Sequence, residues 1–154
     1  MAVITESAIR ELASIKGDGA PITSCYIDVD GRRVARYPDL EHEVDLLLRD
    51  AKVRANGEQS VHADLRRIGQ FVRGGIDRSR TRGVAIFACA DLGLWQVIEL
   101  PVPVHSQVVI NQVPAVGQLE SVLREHEPIG VLLVDRQRAR MLVYELGRLV
   151  DRSE

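Results

Sequence analysis

A chain of 154 residues with 45% hydrophobic and 27% charged residues is composed as an ordinary folded protein, which excludes a disordered or fibrous class. Lys and Arg number 20 against 22 Asp and Glu, so the net charge of −2 gives the whole molecule no pull on nucleic acid or anionic lipid, and any such contact has to be local. No stretch approaches the roughly 18 apolar residues of a membrane span, no charged-then-apolar leader opens the chain, and the expectation is a cytoplasmic protein with no membrane partner.

Thr5 is placed to cap a first helix, because Ile9, Leu12 and Ala13 follow it as an apolar stripe running to about Lys16. Gly17 and Gly19 end that helix. From Pro21 the period changes to two, with Cys25, Ile27 and Val29 on one face of a strand and Ser24, Tyr26 and Asp28 on the other; the first face is fully apolar. Asp28, Asp30 and Gly31 invite a calcium loop, but the sixth and twelfth places counted from Asp28 hold Arg33 and Asp39 where glycine and glutamate are required. A turn capped by aspartates fits the same residues. Both cysteines, Cys25 and Cys89, fall in apolar runs and read as free buried thiols.

Pro38 and Asp39 initiate a long helix with Leu40, Val44, Leu47, Leu48 and Ala51 inward, and Asn56-Gly57 stops it. A third helix begins at about Glu58, with Val61, Leu65, Ile68 and Val72 inward, so the pair forms a helical hairpin. The outer faces mix Arg49, Lys52, Arg54, Arg66, Arg67 and Arg73 with Glu41, Glu43, Asp45, Asp50 and Asp64, which is the pattern of a solvated surface. The cluster Arg73, Arg78, Arg80 and Arg82, answered only by Asp77, is the first candidate for a phosphate contact. Gly74-Gly75 is a helix stop or hinge, and no glycine-rich phosphate loop occurs.

Val84 to Cys89 and Leu94 to Leu100 form a hairpin across Ala90-Asp91-Leu92-Gly93. Pro101 and Pro103 stop the ladder and mark a domain junction, giving an expected first domain over 1–104 and a second, incomplete one over 105–154. Gln107 to Ile110 is a short strand, Pro114 opens a helix with Leu119, Val122 and Leu123 inward, and Ile129 to Asp135 pairs with Arg138 to Leu146 across Arg136-Gln137. The fold class is therefore mixed α/β (α+β), a helix-flanked sheet with a long helical hairpin. His42, His62, His105 and His126 share no metal-ligand spacing, so neither a metal nor a cofactor is expected. Asp135, at a strand end, is the one weak catalytic candidate.

The ordered set formed by the leading helix, SCYIDVD, two long helices, RGVAIFACAD, LWQVIELPVPV and IGVLLVDRQRARMLVYELG resembles the archaeal and eukaryotic-type class-one peptide-chain release factor and Pelota family. The resemblance is closer to the bacterial relatives of that family, which include the ribosome-hibernation factor Balon. It covers essentially the whole chain and implies an amino-terminal domain facing the decoding centre, followed by the start of a ribonuclease-H-like middle domain. The family's Gly-Gly-Gln loop is expected beyond the hairpin that ends the chain. Its stop-codon string Asn-Ile-Lys-Ser is replaced by Val53-Arg54-Ala55-Asn56-Gly57-Glu58.

The function expected from the resemblance is ribosome binding in translation, with hibernation or stress response as its setting, by occupancy of the A site and without catalysis. Ribosomal RNA is the expected partner, contacted through Arg32, Arg33, Arg36, Lys52, Arg54, Asn56, Arg78, Arg80 and Arg82. Two alternatives stand beside it: a hydrolase of RNA or tRNA built on Asp135, and an oligomerisation module. Residues from His105 onward fall short of the roughly 55–65 at which small domains fold alone, so the apolar hairpin over 129–146 is expected to pack on the first domain or to make a homodimer.

Overall fold

In the computed structural model the described residues are 4–125, 129–134, 136–137, 139–145 and 148–153. The order of elements is α1 (Glu6–Ala13), β1 (Ile22–Asp28), α2 (Tyr37–Arg54), α3 (Gln59–Arg73), β2 (Gly83–Cys89), β3 (Leu94–Leu100), β4 (Gln107–Asn111), α4 (Gly117–Glu125), β5 (Ile129–Val134), β6 (Ala139–Glu145) and β7 (Arg148–Ser153). The expected mixed α/β class holds. A four-stranded antiparallel sheet in the order β3-β2-β1-β4 carries the main core, and a three-stranded sheet has the order β5-β6-β7.

Local chemistry accounts for the element ends. Thr5 Oγ1 accepts the Ala8 N–H at 3.0 Å and caps α1. Pro38 sits in the first turn of α2, where its missing N–H costs nothing. Gly75, with φ of 95°, turns the chain away from α3 in the left-handed region that suits glycine. A short 3₁₀ turn over Ala90–Leu92, closed by Gly93, joins β2 to β3.

β1 is buried on both faces, which departs from the strand with one apolar face that its alternation suggests. Cys25, Ile27 and Val29 join Val84 and Ile86 of β2 beneath α2 and α3, packed on Leu40, Val44, Leu65, Ile68 and Val72. On the other face Tyr26 joins Ala85, Phe87, Ile98 and Leu100 beneath α1 and α4, packed on Ile9, Leu12, Leu119 and Val122. Tyr26 and Phe87 meet edge to face, with ring centroids 6.0 Å apart. The main core is thus three layers, helix hairpin on sheet on helix pair. Ser24 is tolerated inside because its hydroxyl accepts the Ala115 N–H at 2.9 Å, while the Tyr26 hydroxyl donates to the Ala115 carbonyl.

Those two contacts explain why α4 begins at Gly117 and not at Pro114: the backbone at Ala115 is already committed to β1. They also move the domain boundary. β4 pairs with β1 from Ile22↔Asn111 to Tyr26↔Gln107, and α4 shares its apolar cluster with α1, so residues 107–125 complete the first core. The boundary expected after Val104 falls inside one folded unit, because without β4 and α4 one edge of β1 and part of one sheet face would lie open. The segment after Pro101 is held against the sheet: a Cβ at Gly83 would lie 2.5 Å from the Val102 carbonyl oxygen. The hairpin expected over 129–146 appears as β5 and β6 (Ile129↔Tyr144 to Val134↔Ala139), with β7 covering the second edge of β6.

Core truncation and strand crowding have separable consequences. Ile68→Ala, at a fully buried position under the sheet, is expected to cost about 2–5 kcal/mol in urea unfolding. Gly83→Ala keeps strand chemistry but crowds the Val102 carbonyl, and should cost about 1–3 kcal/mol by the same measurement.

Candidate nucleic-acid interface

The turn after β1 is built from carboxylates and arginines. Asp28 Oδ1 accepts the Asp30 N–H at 3.1 Å and Asp30 Oδ1 accepts the Arg32 N–H at 3.0 Å, two successive aspartate-capped turns as the residues suggested. Asp30 Oδ2 then receives both Nη2 and Nε of Arg82, at 2.8 and 3.1 Å. The Arg82 hydrogen bonds hold the Asp30 carboxyl below the usual aspartate range. Arg33 spans Asp28 (Nε to Oδ2, 2.8 Å) and Glu43, whose two oxygens accept at 3.1 and 2.8 Å. That fork depresses the Glu43 pKa. Arg78 donates to the carbonyls of Val34 and Ala35 and lies over the Tyr37 ring, 5.3 Å from its centroid.

The residues expected to meet RNA therefore divide by what already occupies them. Arg33, Arg78 and Arg82 tie the β1 turn to α2 and β2, and Arg54 donates to Asp50 at 3.2 Å and to the Val108 carbonyl at 3.0 Å. Their guanidinium groups serve the fold. Arg32, Arg36, Arg80, Lys52 and Asn56 are exposed and make no ion pair among the described residues. They are also divided in space: Arg36 precedes α2 and Lys52 stands in its last turn, a separation of about 24 Å along a helix rising 1.5 Å per residue. Asp135 lies outside the described residues, and among those described no group of three His, Cys, Asp or Glu could hold a metal ion. No helix of the described residues is long and apolar enough to cross a membrane.

The mixed-sign outer faces of α2 and α3 hold a groove of about 510 Å³ between the two helices. Leu48, Leu65 and Gly69 line it together with Arg49, Lys52, Arg66 and Arg73, and its carboxylate, Asp45, is paired with Arg73 at 3.1 Å. A Cβ at Gly69 would stand 3.4 Å from Leu48 Cδ1, in ordinary van der Waals contact. The signal was present as cations three apart on one helix and seven apart on the next, but only the hairpin's geometry turns both rows to one side. Arg67, one position away, is diverted to the Trp95 ring at 4.1 Å.

Asp64 on α3, expected on the solvated outer face with the other acids, is 3% exposed. Its Oδ1 accepts the Ala90 N–H at 3.1 Å, while Oδ2 has no hydrogen-bond partner among the described residues. Burial, reinforced by the Asp91 charge, pushes its pKa up to about 6 against the opposing Ala90 N–H and Arg67. The two cysteines are buried and free, and burial drives the Cys25 thiol up to about 12, so it is an inert core group.

No family model matches the chain, and no curated protein matches it in sequence. Among solved structures it is similar to one titled "Archaeal protein", with a TM-score of 0.51 and 16% identity over 100% of this chain and 46% of that one. It also matches the crystal structure of archaeal translation termination factor aRF1, with a TM-score of 0.47 and 16% identity over 98% of this chain and 45% of that one. The chain spans less than half the length of both. At such identity the first likeness speaks for a shared fold.

The Asp64 pKa in the folded state lies above the ordinary value of 3.8, so the native state binds this proton more tightly than the unfolded chain does. Its contribution to stability is complete below 3.8 and is lost as the pH rises to about 6. Asp64→Asn should therefore gain stability relative to the wild type across that interval and hold a constant difference above it, as read by urea unfolding at a series of pH values.

Proposed function

We propose that this protein is a translation-associated ribosome binder that works by occupying the A site through shape and local positive charge, without catalysis. The reading rests on the ordered resemblance of its segments to the release factor and Pelota family, and one observation favours binding without codon reading. The connection between α2 and α3, where that family carries its stop-codon string, is Ala55-Asn56-Gly57-Glu58. It offers an exposed asparagine and glutamate beside Lys52, a connection suited to contact and lacking the codon-reading residues.

The exposed cations at the two ends of α2 supply the contacts. Arg32, Arg36 and Arg80, exposed and without an ion pair among the described residues, flank a turn stiffened by Asp30–Arg82 and Arg33–Glu43, so they are presented at little entropic cost. Lys52 and Asn56 do the same at the hairpin tip. A net charge of −2 over the whole chain keeps binding local and orients the molecule toward phosphate with these ends first. The three-stranded sheet, β5-β6-β7, falls within the stretch over 105–154 that the resemblance implies to open a ribonuclease-H-like middle domain. Likeness to the bacterial hibernation factors favours rescue or hibernation over peptide release.

Sedimentation of the chain with ribosomes through a sucrose cushion tests this. The wild type should pellet with ribosomes at low salt and progressively less as salt rises, and replacing Arg32, Arg36 and Arg80 together by glutamate should abolish pelleting while the far-ultraviolet circular dichroism stays unchanged. A wild type left wholly in the supernatant at low salt would remove the reading.

A further inference from the structure

We infer that the groove between α2 and α3 binds the phosphate backbone of single-stranded RNA, a site separate from the exposed cations at the β1 turn. The inference deepens the ribosome-binding reading and rests on it for the choice of RNA as the polyanion. Its physical basis is a local inversion of charge. A chain of net charge −2 gathers Arg49, Lys52, Arg66 and Arg73 around one groove against a single carboxylate, Asp45. Asp45 is already neutralised by Arg73 at 3.1 Å, which leaves Arg49, Lys52 and Arg66 exposed and without an ion pair among the described residues. Three like charges crowded together repel one another, an arrangement that gains energy when an anion enters.

The shape selects the kind of anion. Packed helices lie about 8–10 Å apart, so the trough between α2 and α3 admits one strand and excludes the body of a duplex. Arg49 and Lys52 are separated by about 4.5 Å of helix rise, and Arg66 and Arg73 by about 10.5 Å. Two cationic walls thus run along the trough over the length of a few nucleotides. The floor is Leu48, Leu65 and Gly69, which offers no side-chain hydrogen bond to a base edge and suits the apolar face of a ribose. The lining holds no Phe, Tyr or Trp, and Trp95, the one indole of the chain, is covered by Arg67; its single ring is the half-buried His62, whose Nε2 is buried without a hydrogen-bond partner among the described residues. Base stacking is therefore limited to that one imidazole, and binding is read chiefly from phosphate, without sequence preference. Lys52 closes the trough near the hairpin tip, so a strand lying in it leads from the body of the helices to the α2–α3 connection.

Fluorescence anisotropy with a labelled oligouridine tests the site directly. Three unpaired cations at about 0.7 counterions per contact give an expected slope of about −2 for log K against log salt. Arg49→Ala with Arg66→Ala should bring the slope to about −0.7, whereas Arg10→Ala with Arg124→Ala, on the α1–α4 face, should leave it unchanged. Equal weakening by both pairs, an unchanged slope in the groove variant, absence of wild-type binding, or displacement of the RNA by polyglutamate at equal charge would each overturn the proposal. Ribosome sedimentation separates it from the broader reading. Oligouridine binding that is lost in the groove variant, from a wild type that does not pellet with ribosomes, would sink ribosome binding and keep the groove. Pelleting by a wild type that does not bind oligouridine would do the reverse.

Discussion

A strand flanked by partners on both edges and covered on both faces leaves its chain no freedom, and β1 is in that position. β2 pairs along one edge and β4 along the other, the α2–α3 hairpin lies over Cys25 and Ile27, and α1 with α4 lies over Tyr26. Each neighbour is needed because the other three cannot hide the remaining surface. The polar atoms on β1 make the same demand: Ser24 and Tyr26 are buried only because Ala115 supplies an N–H and a carbonyl. The approach to α4 is thereby bound to the sheet as firmly as a strand.

This constraint reaches the surface through the end of β1. The chain leaves the sheet at Asp28, and the turn that follows would carry carboxylates with nothing to balance them. Arg33 and Arg82 balance them, one from within the turn and one from the entry to β2. Arginine suits the task because its planar fork meets two acceptors at once, as Arg33 does on Glu43. The consequence for function is that charge abundance and charge availability are different quantities. Arg33, Arg54, Arg78 and Arg82 are abundant positive charge that the fold has already used, while Arg32, Arg36, Arg80 and, in the α2–α3 groove, Arg49, Lys52 and Arg66 stay exposed without an ion pair among the described residues.

Much of this was legible residue by residue. Thr5 as a cap, Pro38 in the first turn, the apolar stripe from Leu40 to Ala51, the Ala90-Asp91-Leu92-Gly93 turn and the aspartate turn at Asp28–Arg32 all depend on neighbours within a few positions. The errors have a common origin. Pro101 and Pro103 do stop a ladder, but whether the chain beyond them starts a new domain depends on an edge of β1 some eighty positions earlier. Asp64 looked like a surface acid because its neighbours in sequence are charged, whereas its neighbour in space is the backbone of Ala90, 26 positions away.

The sequence by itself determined the elements, their caps and turns, the mixed α/β class and the confinement of positive charge to local patches, since each follows from periodicity or from side chains reaching their own backbone. Only the tertiary structure decided that β1 is central, that residues 107–125 close the first core, which arginines are spent, and that cations on two helices share one groove. Those outcomes depend on contacts such as Arg82–Asp30, 52 positions apart, and Arg73–Asp45, 28 apart. No local pattern encodes them, because an ion pair or a strand edge is chosen by which surfaces remain uncovered once the helices and strands have packed.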